Sequence, residues 1–506
     1  MPNETPRSAT LGRTFWILLA AGILIRCVAL THPLADAHLL RQCQTAAATQ
    51  SLVAHGFSLS APIPWVGDFH ERFLLELPVY NWLVVAVHAV TGNLTLSGKL
   101  VSVALWALSF FLLQAIWRRI LAPCAAIWAN VLFVVSPLGV FYAQAFMPEM
   151  LVQALAFAFV LLLIRHDENP TLARWLPAAA TGLLALVVKA PETAHLYVIF
   201  ILLALRRGGW RELFRVPYLL AGVVSAACVV AWTAYLGKVN VSPLSFGGAG
   251  DTLRGFIGPL VIRFQFKTWL MIALYVAGFL IPGFSTLSVA RGVPEIMRAK
   301  SPRLLVAWLV ALAIFYLAWL GNGPASQSYY NLPALAPLCA LFGLGMNAFL
   351  ESPRVQRRRV LVAGIAATLT AGCAAPVWIY LFKQDHPILA AARWAREHTA
   401  PGSVILFHAG HRADMRDYTP NAVFPFYAER PSFIWTEQLM EPYRTAALQR
   451  SRFAIVTLPL PEGTVAAAIR RIRGMPLPPA PSTGWLREIG FAPVAEEPGF
   501  VAFGRQ

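Results

Sequence analysis

The sequence predicts a polytopic helical membrane protein with one extramembrane α/β domain at its C-terminus. Hydrophobic residues make up 58% of the 506 residues and charged residues only 13%, whereas soluble domains carry about a quarter charged residues. Apolar stretches close to the membrane-spanning length of about 20 residues recur from Phe15 to Phe382, and a more polar tail follows. These features exclude a soluble globular enzyme, a disordered chain and a disulfide scaffold.

The net charge of +17 raises nucleic acid as an alternative partner, but the positions of the charges argue against it. Lysines and arginines lie in short clusters between the apolar stretches, at 118–119, 206–215, 291–303 and 354–359. Such clusters mark the cytoplasmic loops of membrane proteins. We therefore expect membrane lipid as a partner, and no nucleic acid.

The apolar stretches predict eleven spans, numbered here in chain order. They are 14–31, 98–116, 121–141, 149–164, 174–190, 193–206, 216–236, 268–289, 304–320, 332–350 and 360–382. The stretch 79–90 is apolar but only a dozen residues long, and segments of that length more often lie in the interface than cross. If it does not cross, every basic cluster faces the side of Arg7 and Arg13, which places the N-terminus in the cytoplasm. If it crosses, those clusters lie on the opposite side.

This topology predicts a transmembrane domain over 1–382 and an outer, periplasmic domain over 383–506. Four irregular segments would lie on the outer side, namely the long loop 32–97 and the segments 142–148, 237–267 and 321–331. In the tail, Ser403–Phe407 and Phe453–Thr457 are short apolar runs typical of buried strands. Ile388–Glu397 and Thr464–Ile472 have helical character, and Met475–Ser482 reads as a proline-rich linker.

Three acids on the outer side are candidates for chemistry, because an ionisable side chain at a membrane boundary costs free energy. They are Asp36, Glu76 and Glu149. Each also has a structural interpretation: Asp36 as a helix cap, Glu76 as an ion pair with Arg72, and Glu149 as an acid favoured by the helix dipole after Pro148.

Outer cations are few and therefore conspicuous. Arg41, Lys189, Arg263 and Lys267 belong to this set, and Arg263 and Lys267, four residues apart, would share one helical face. The alternative for Lys189 is a lysine that extends to the membrane surface. Tyr329 and Tyr330 fit an interfacial aromatic belt. Acids and cations on one face suit transfer from a lipid phosphate, where a cation stabilises the leaving group and a carboxylate takes a proton.

Four motifs in chain order resemble the GT-C membrane glycosyltransferases, and in particular the family-39-like branch. That branch is related to protein O-mannosyltransferases and the lipid A aminoarabinose transferase. The motifs are Asp36 with Arg41–Ala46 (RQCQTA), Glu76–Tyr80 (ELPVY), Met147–Glu149 (MPE) and Ser328–Pro333 (SYYNLP) with Pro337, and Lys189 follows an aliphatic run as in the family. Cys43 and Leu77 depart from the pattern, which weakens assignment to the aminoarabinose branch.

The resemblance implies a GT-C fold and inverting transfer of a sugar from a polyprenyl-phosphate donor to a hydroxyl acceptor on a glycolipid, lipopolysaccharide or protein. It implies Asp36 as general base, with Glu149 and Glu76 orienting the acceptor or sharing that role. Arg41, Lys189, Tyr330 and Tyr329 would contact the donor phosphate, with help from Lys267 and Arg263. No cofactor is expected: some members of the superfamily use a divalent metal, but the sequence offers no clear ligand set.

Two other functions compete with this interpretation. A transporter of lipid-linked glycans would move its substrate without bond chemistry, but such proteins often contain internal repeats, and this sequence has no convincing repeat. A non-catalytic envelope-assembly protein would use its outer tail to bind partners, and its acids would be dispensable.

Overall fold

The computed structural model describes residues 6–59, 62–66, 69–72, 76–239, 257–321, 323–410, 422–436, 443–458 and 483–505. The chain divides into two compact units. The first contains Met1–His32, Glu76–Gly237 and Gly247–Phe382, and the second contains Pro33–Leu75, Lys238–Phe246 and Lys383–Gln506. The predicted helix 464–472, the predicted linker 475–482 and most of the segment 237–267 lie outside the described residues.

The structure is mainly helical. The described α-helices in chain order are α1 (Pro6–Cys27), α2 (Leu39–His55), α3 (Val79–Thr91), α4 (Leu94–Ile120), α5 (Pro123–Val135), α6 (Pro137–Tyr142), α7 (Glu149–Glu168), α8 (Leu172–Thr193), α9 (Tyr197–Gly208), α10 (Trp210–Leu213), α11 (Val216–Val239), α12 (Phe266–Leu274), α13 (Phe284–Gly292), α14 (Pro302–Ala318), α15 (Leu335–Glu351), α16 (Pro353–Gln356), α17 (Arg359–Leu381), α18 (His386–His398), α19 (Val423–Ala428), α20 (Tyr443–Arg450) and α21 (Gly484–Glu488). Short 3₁₀ segments occupy Ala194–Leu196, Leu260–Phe264, Val293–Arg298 and Ser328–Ala334, and Tyr275–Leu280 is a π-helix.

Several helices of the first unit are long and apolar enough to cross a membrane. Within the described residues six helical regions qualify: Leu94–Ile120, Glu149–Glu168, Leu172–Gly208, Val216–Val239, Ser328–Glu351 and Arg359–His398. The pair Phe266–Leu280 and Phe284–Arg298, bent by 109°, makes a seventh if it is one broken span. Val79–Thr91, Pro123–Val135 and Pro302–Ala318 are shorter apolar helices. The chain is therefore a multi-pass membrane protein, while the count of eleven spans stays a prediction.

Aromatic side chains fill the core of the first unit. Trp106, Trp117 and Trp308 are almost fully buried, and the rings of Trp106 and Phe133 are stacked with centroids 5.9 Å apart. In the contacts between helices, α7 packs against α4 and α8, and α15 packs against α5 and α13. Large flat side chains on apolar helices bury the most surface, which explains why these tryptophans lie between helices.

Two buried cations fix the end of α1. The Arg26 guanidinium lies 3.7 Å from the centroid of the Trp106 ring and donates to the carbonyls of Gly22 and Val134 at 3.0 and 3.1 Å. The Lys99 ammonium, on α4, donates to the Ala29 carbonyl at 2.7 Å. A cation near a helix C-terminus satisfies carbonyls that the helix leaves without partners.

The second unit contains a mixed sheet. Its strands are β1 (Pro62–Val66), β2 (Phe69–Arg72), β3 (Ile405–His408), β4 (Ser432–Ile434), β5 (Phe453–Thr457), β6 (Phe491–Glu497) and β7 (Phe500–Arg505). The five-stranded sheet has the order β4-β3-β5-β7-β6, with β3 parallel to β4 and β5, and β7 antiparallel to β5 and β6. This arrangement confirms the predicted C-terminal α/β domain, including both predicted strands and the helix α18.

The prediction that the loop 32–97 is irregular is wrong. Helix α2 occupies Leu39–His55, β1 and β2 form an antiparallel pair, and α3 follows. The α2 sequence is rich in Leu, Gln and Ala, which are good helix formers, and one side of the helix is buried against α19. A helix that packs against another helix of the second unit needs no long apolar run, so hydropathy alone gives no signal for it.

Candidate active site

Glu149 lies at the start of α7 and is completely buried. Pro148 precedes it at the N-cap position, where proline starts a helix without losing a hydrogen bond. A helix-start acid that served only the helix dipole would normally face solvent. Glu149 instead faces the interior of the first unit, so its carboxylate requires a partner there.

That partner is Lys189, which lies at a break in α8. The backbone of Lys189 has φ −158° and ψ 80°, outside the helical region, and Pro191 follows two residues later. Proline disfavours helical geometry in the residue before it and clashes with the carbonyl four residues earlier. The Thr193 hydroxyl lies within hydrogen-bond distance of the carbonyls of Ala185 and Lys189, at 3.1 and 3.0 Å. The break thus places Lys189 inside the unit rather than on a regular helical face.

The Lys189 ammonium contacts two carboxylates. Its Nζ atom lies 2.5 Å from Glu149 Oε1 and 2.6 Å from Glu192 Oε1, and all three side chains are almost fully buried. The contact between Lys189 Nζ and Glu192 is an ion pair without hydrogen-bond geometry. Glu149 Oε2 has no hydrogen-bond partner in the described part of the chain. An oxygen of this kind can accept a hydrogen bond or a proton from a bound hydroxyl.

Glu192 was not among the residues expected from the sequence. It lies three residues after Lys189 and directly after Pro191, within the gap between two predicted spans. A carboxylate in the interior of an apolar segment is itself a signal of function, and this signal could have identified it. We add Glu192 to the candidate site.

Two tyrosines pack beside the ammonium. Lys189 Nζ lies 4.5 Å from the centroid of the Tyr329 ring and 5.3 Å from that of Tyr330, both within the range of cation–π attraction. These tyrosines lie in the 3₁₀ segment Ser328–Ala334, and the Ser328 hydroxyl is 2.9 Å from the Tyr142 hydroxyl. Hydroxyl and ring groups therefore surround the ion pairs.

Glu76 belongs to the same cluster. It is half-buried just before α3 and interacts electrostatically with Lys189 and Glu192. The structure thus brings together five residues that the sequence placed far apart, namely Glu76, Glu149, Lys189, Tyr329 and Tyr330. Three carboxylates surround one ammonium, so a donor phosphate would compete with these carboxylates for Lys189. The expected phosphate role of Lys189 stays a prediction.

Asp36 and Arg41 lie in the second unit. Asp36 is buried and accepts a hydrogen bond from Gln42 Nε2 at 2.5 Å, while Arg41 is half-buried. The Leu34 amide donates to the Tyr427 hydroxyl at 2.5 Å. The surroundings are dry: burial, and then the Asp36 carboxylate, raise the pKa of the Cys43 thiol well above its usual range.

Burial also raises the pKa of Tyr427, and Cys43 and Asp36 add to the effect. The Tyr427 hydroxyl therefore stays protonated beside Asp36. A neutral donor next to the carboxylate leaves Asp36 as the group able to accept a proton.

The expectation that Arg263 and Lys267 share one helical face is wrong. Arg263 lies in the 3₁₀ segment Leu260–Phe264, Lys267 lies in α12, and Gln265 between them is extended. The Arg263 guanidinium donates to the carbonyls of Leu317 and Ala318 at 2.9 and 3.1 Å, which gives it a structural role at the end of α14. Lys267 lines a cavity of about 510 Å³ together with Gln265, Thr268 and Ser326.

The described residues contain no group of three or more His, Cys, Asp or Glu side chains placed to hold a metal ion. All six cysteines are free thiols. We derive no step through a metal ion.

Comparison with known proteins gives the family context of this geometry. Residues 76–235 match the family model of dolichyl-phosphate-mannose-protein mannosyltransferases. The whole structure resembles the crystal structure of ArnT from Cupriavidus metallidurans bound to undecaprenyl phosphate, with a TM-score of 0.64 and 13% identity over 96% of this chain and 97% of that chain. The chain has the GT-C fold.

A second solved structure supports the same fold. The archaeal oligosaccharyltransferase AglB from Archaeoglobus fulgidus, solved with an inhibitory peptide and a dolichol-phosphate, matches with a TM-score of 0.55 and 12% identity, over 88% of this chain and 69% of that chain. The sequence has no significant match among the curated proteins. The predicted GT-C fold is confirmed, and part of the chain is similar to protein mannosyltransferases, as the motifs predicted.

Proposed function

We propose that this chain is a membrane glycosyltransferase that moves a sugar from a polyprenyl-phosphate donor to an acceptor hydroxyl. One observation carries the proposal: Glu76, Glu149, Lys189 and Glu192 all lie inside the segment 76–235 that matches the mannosyltransferase family. Their buried charges have no obvious use in a purely structural bundle, where apolar side chains would be more stable. The neighbours with this fold include enzymes solved with undecaprenyl phosphate or dolichol-phosphate, which supports a lipid-linked donor.

The proposed reaction is a single inverting displacement. The acceptor oxygen forms a bond to the anomeric carbon, and the bond from that carbon to the phosphate oxygen breaks. A carboxylate takes the acceptor proton, and the electron pair leaves with the lipid phosphate. Cations and hydroxyl donors stabilise that charge. Arg41 is our first choice, Lys189 and Lys267 are further cations, and Tyr330 and Tyr329 are hydroxyl donors. Arg263 is a weaker candidate, because its guanidinium already bonds to carbonyls.

Two carboxylate groups are candidates for the base. Asp36 is the first choice, because Gln42 orients it and its neighbours Cys43 and Tyr427 remain protonated. Glu149 is the alternative, because one of its oxygens has no partner among the described residues. Glu76 and Glu192 would then orient the acceptor or hold Lys189.

The test is transfer of radiolabelled sugar from a panel of polyprenyl-phosphate sugars into membranes that contain lipid, glycan and protein acceptors. Wild type, Asp36→Asn and Glu149→Gln are compared at equal protein level. The matched control is Asp385→Asn, because Asp385 caps α18 in the same unit and asparagine caps a helix equally well. We expect the rate of sugar transfer to fall by a factor of at least about 10² in Asp36→Asn and to remain unchanged in Asp385→Asn.

The possible outcomes separate the candidates. If Glu149→Gln loses transfer activity while Asp36→Asn keeps full activity, the general base is Glu149. Full activity in both variants would show that neither Asp36 nor Glu149 is the base. If wild type transfers no sugar with any donor but moves labelled lipid across vesicles, the chain is a transporter and the proposed function is wrong.

We also propose that the chain lies in a bacterial inner membrane, with its N-terminus in the cytoplasm and its C-terminal domain in the periplasm. The basic clusters between the apolar stretches support this orientation. Acceptors would then be periplasmic or membrane-bound.

A further inference from the structure

A basic cavity lies at one end of the membrane helices of the first unit, formed by the end of α4, the end of α7 and the start of α8. Its volume is about 410 Å³. The lining residues are Arg119, Leu162, Arg165, Glu168, Ala173, Arg174 and Pro177. Neither the mannosyltransferase match nor the proposed reaction gives this cavity a role.

The cavity carries more positive than negative charge. Arg119 Nε donates to Glu168 Oε1 at 3.0 Å, which pairs the one carboxylate of the lining. Arg174 donates to the Arg165 carbonyl at 2.9 Å, so these two residues are held next to each other. Neither Arg165 nor Arg174 forms an ion pair with any residue that the structure describes. Two guanidinium groups are therefore available for an anion.

The position of the cavity separates it from the candidate active site. Helix α7 begins at Glu149 and ends at Glu168, and a helix of its 20 residues is about 30 Å long, close to the thickness of the hydrocarbon core of a membrane. The cavity thus lies at the opposite end of α7 from the buried carboxylates. In the orientation predicted from the basic clusters, this end meets the cytoplasmic leaflet.

Exposed apolar residues of α8 form part of the cavity wall. Ala173 and Pro177, four residues apart and therefore on one face of the helix, are exposed and line the cavity with Arg174. Leu162 adds apolar lining from α7. A soluble anion would use the guanidinium groups alone, whereas a phospholipid would use both the charge and the apolar surface.

We propose that this cavity binds the phosphate of an anionic phospholipid of that leaflet, with an acyl chain along Ala173 and Pro177. Guanidinium groups bind phosphate oxygens in pairs of hydrogen bonds, and basic pockets between membrane helices on the cytoplasmic side bind acidic headgroups. The lipid would be a structural partner of the helix ends rather than a substrate. This inference holds whether or not the chain transfers sugar.

The test uses the purified full chain in nanodiscs of phosphatidylcholine that contain a small fraction of phosphatidylglycerol, and binding is read by native mass spectrometry. The variant Arg165→Gln/Arg174→Gln should bind phosphatidylglycerol about 30-fold more weakly than wild type. The matched control Arg354→Gln/Arg357→Gln removes the same charge from exposed arginines of another basic cluster and should bind as wild type does. Arg165→Lys/Arg174→Lys keeps the charge but loses the paired hydrogen bonds, so it should bind more strongly than the glutamine variant and more weakly than wild type. Such an intermediate affinity excludes loss of folding as the cause.

A second variant should change binding in the opposite direction. Glu168→Gln releases Arg119 and should strengthen binding about fivefold, whereas Glu351→Gln, at the exposed end of α15, should not. If Arg165→Gln/Arg174→Gln and Arg354→Gln/Arg357→Gln weaken phosphatidylglycerol binding equally, the binding is due to non-specific surface charge and the proposal is wrong. Displacement of phosphatidylglycerol by millimolar inorganic phosphate would overturn it in favour of a soluble anion.

Discussion

The buried cluster around Lys189 contains more carboxylates than cations. Lys189 pairs with Glu149 and Glu192 at 2.5 and 2.6 Å, and Glu76 adds a third acid nearby. A buried charge without a counter-ion costs several kcal/mol. The stability of the cluster therefore depends on the single ammonium. Removal of one carboxylate leaves the ammonium with another counter-ion, whereas removal of the ammonium leaves the carboxylates with none.

Lys189→Met should lower the free energy of unfolding by about 3–5 kcal/mol, because it leaves buried carboxylates without a cation. Glu192→Gln keeps one ion pair, so the loss should stay below about 1.5 kcal/mol. Unfolding by SDS titration of the purified chain in detergent measures both. Equal losses in the two variants would show that the cluster does not depend on the ammonium in this way.

The Cys43 thiol provides a pH prediction. Its pKa is raised by burial and by Asp36, so at pH 8.5, where an ordinary cysteine is half thiolate, Cys43 should remain protonated. Since the thiolate is the nucleophile, alkylation by iodoacetamide should be at least about tenfold slower in the folded chain than in SDS, and should accelerate as the pH rises further. The other native cysteines are replaced by alanine for this measurement.

The Asp36 carboxylate can be tested in the same background. Asp36→Asn removes a negative neighbour, which lowers the Cys43 pKa, and alkylation at pH 8.5 should become faster. Rates that are the same in folded and unfolded chain would contradict the raised pKa.

At the scale of elements, close helix packing in the first unit depends on glycines. A Cβ at Gly345 on α15 would overlap the Ser288 carbonyl on α13, and one at Gly292 on α13 would overlap the Leu341 carbonyl on α15. Small residues let membrane helices approach closely, and this packing replaces the hydrophobic driving force that lipid removes. The pairing of α13 with α15 thus depends on the absence of side chains at these positions.

Gly345→Ala should lower the free energy of unfolding by about 1–3 kcal/mol, because the backbone carbonyl it meets cannot move aside freely. The matched control is Gly364→Ala, inside α17, where a Cβ meets no atom within 4 Å and alanine favours the helix by about 1 kcal/mol. Thermal unfolding in detergent should show a lower midpoint for the first variant and an unchanged or higher midpoint for the second. A tolerated Gly345→Ala would mean that the two helices can separate without loss.

At the scale of the whole molecule, the charge distribution and the fold agree on a polytopic membrane protein. Many of the lysines and arginines lie in clusters between the apolar stretches, at 118–119, 206–215, 291–303 and 354–359. If the spans number eleven, as predicted, these clusters lie at one end of the spans and the two termini lie on opposite sides of the membrane.

Cysteine labelling tests this orientation. In a chain without native cysteines, Glu397→Cys on α18 should react with an impermeant maleimide in intact spheroplasts. Gln356→Cys, in the basic segment 354–359, should react only after the membrane is permeabilised. Both positions are exposed, so access to the reagent depends on the side of the membrane. The reverse pattern, in which only Gln356→Cys reacts in intact spheroplasts, would mean that 79–90 crosses and would contradict the count of eleven spans.

The sequence by itself determined the membrane class, the strands β3 and β5, and several residues of the candidate site. These follow from local signals, because hydropathy, strand patterning and isolated charges in apolar surroundings are properties of short segments. The pairing of Glu149 with Lys189 did not follow, since the two residues are 40 positions apart and no local pattern joins them.

Tertiary structure decided the remaining features of the site. Glu192 belongs to the cluster because the Lys189 ammonium, at the break in α8, contacts both Glu149 and Glu192. Arg263 lies outside the cluster. Gln265 is extended, and the Arg263 guanidinium donates to carbonyls at the end of α14. Helix α2 formed within a segment expected to be irregular, because packing against α19 buries one of its sides. Each depends on contacts between distant segments, and the free energy of such contacts cannot be obtained from the local sequence.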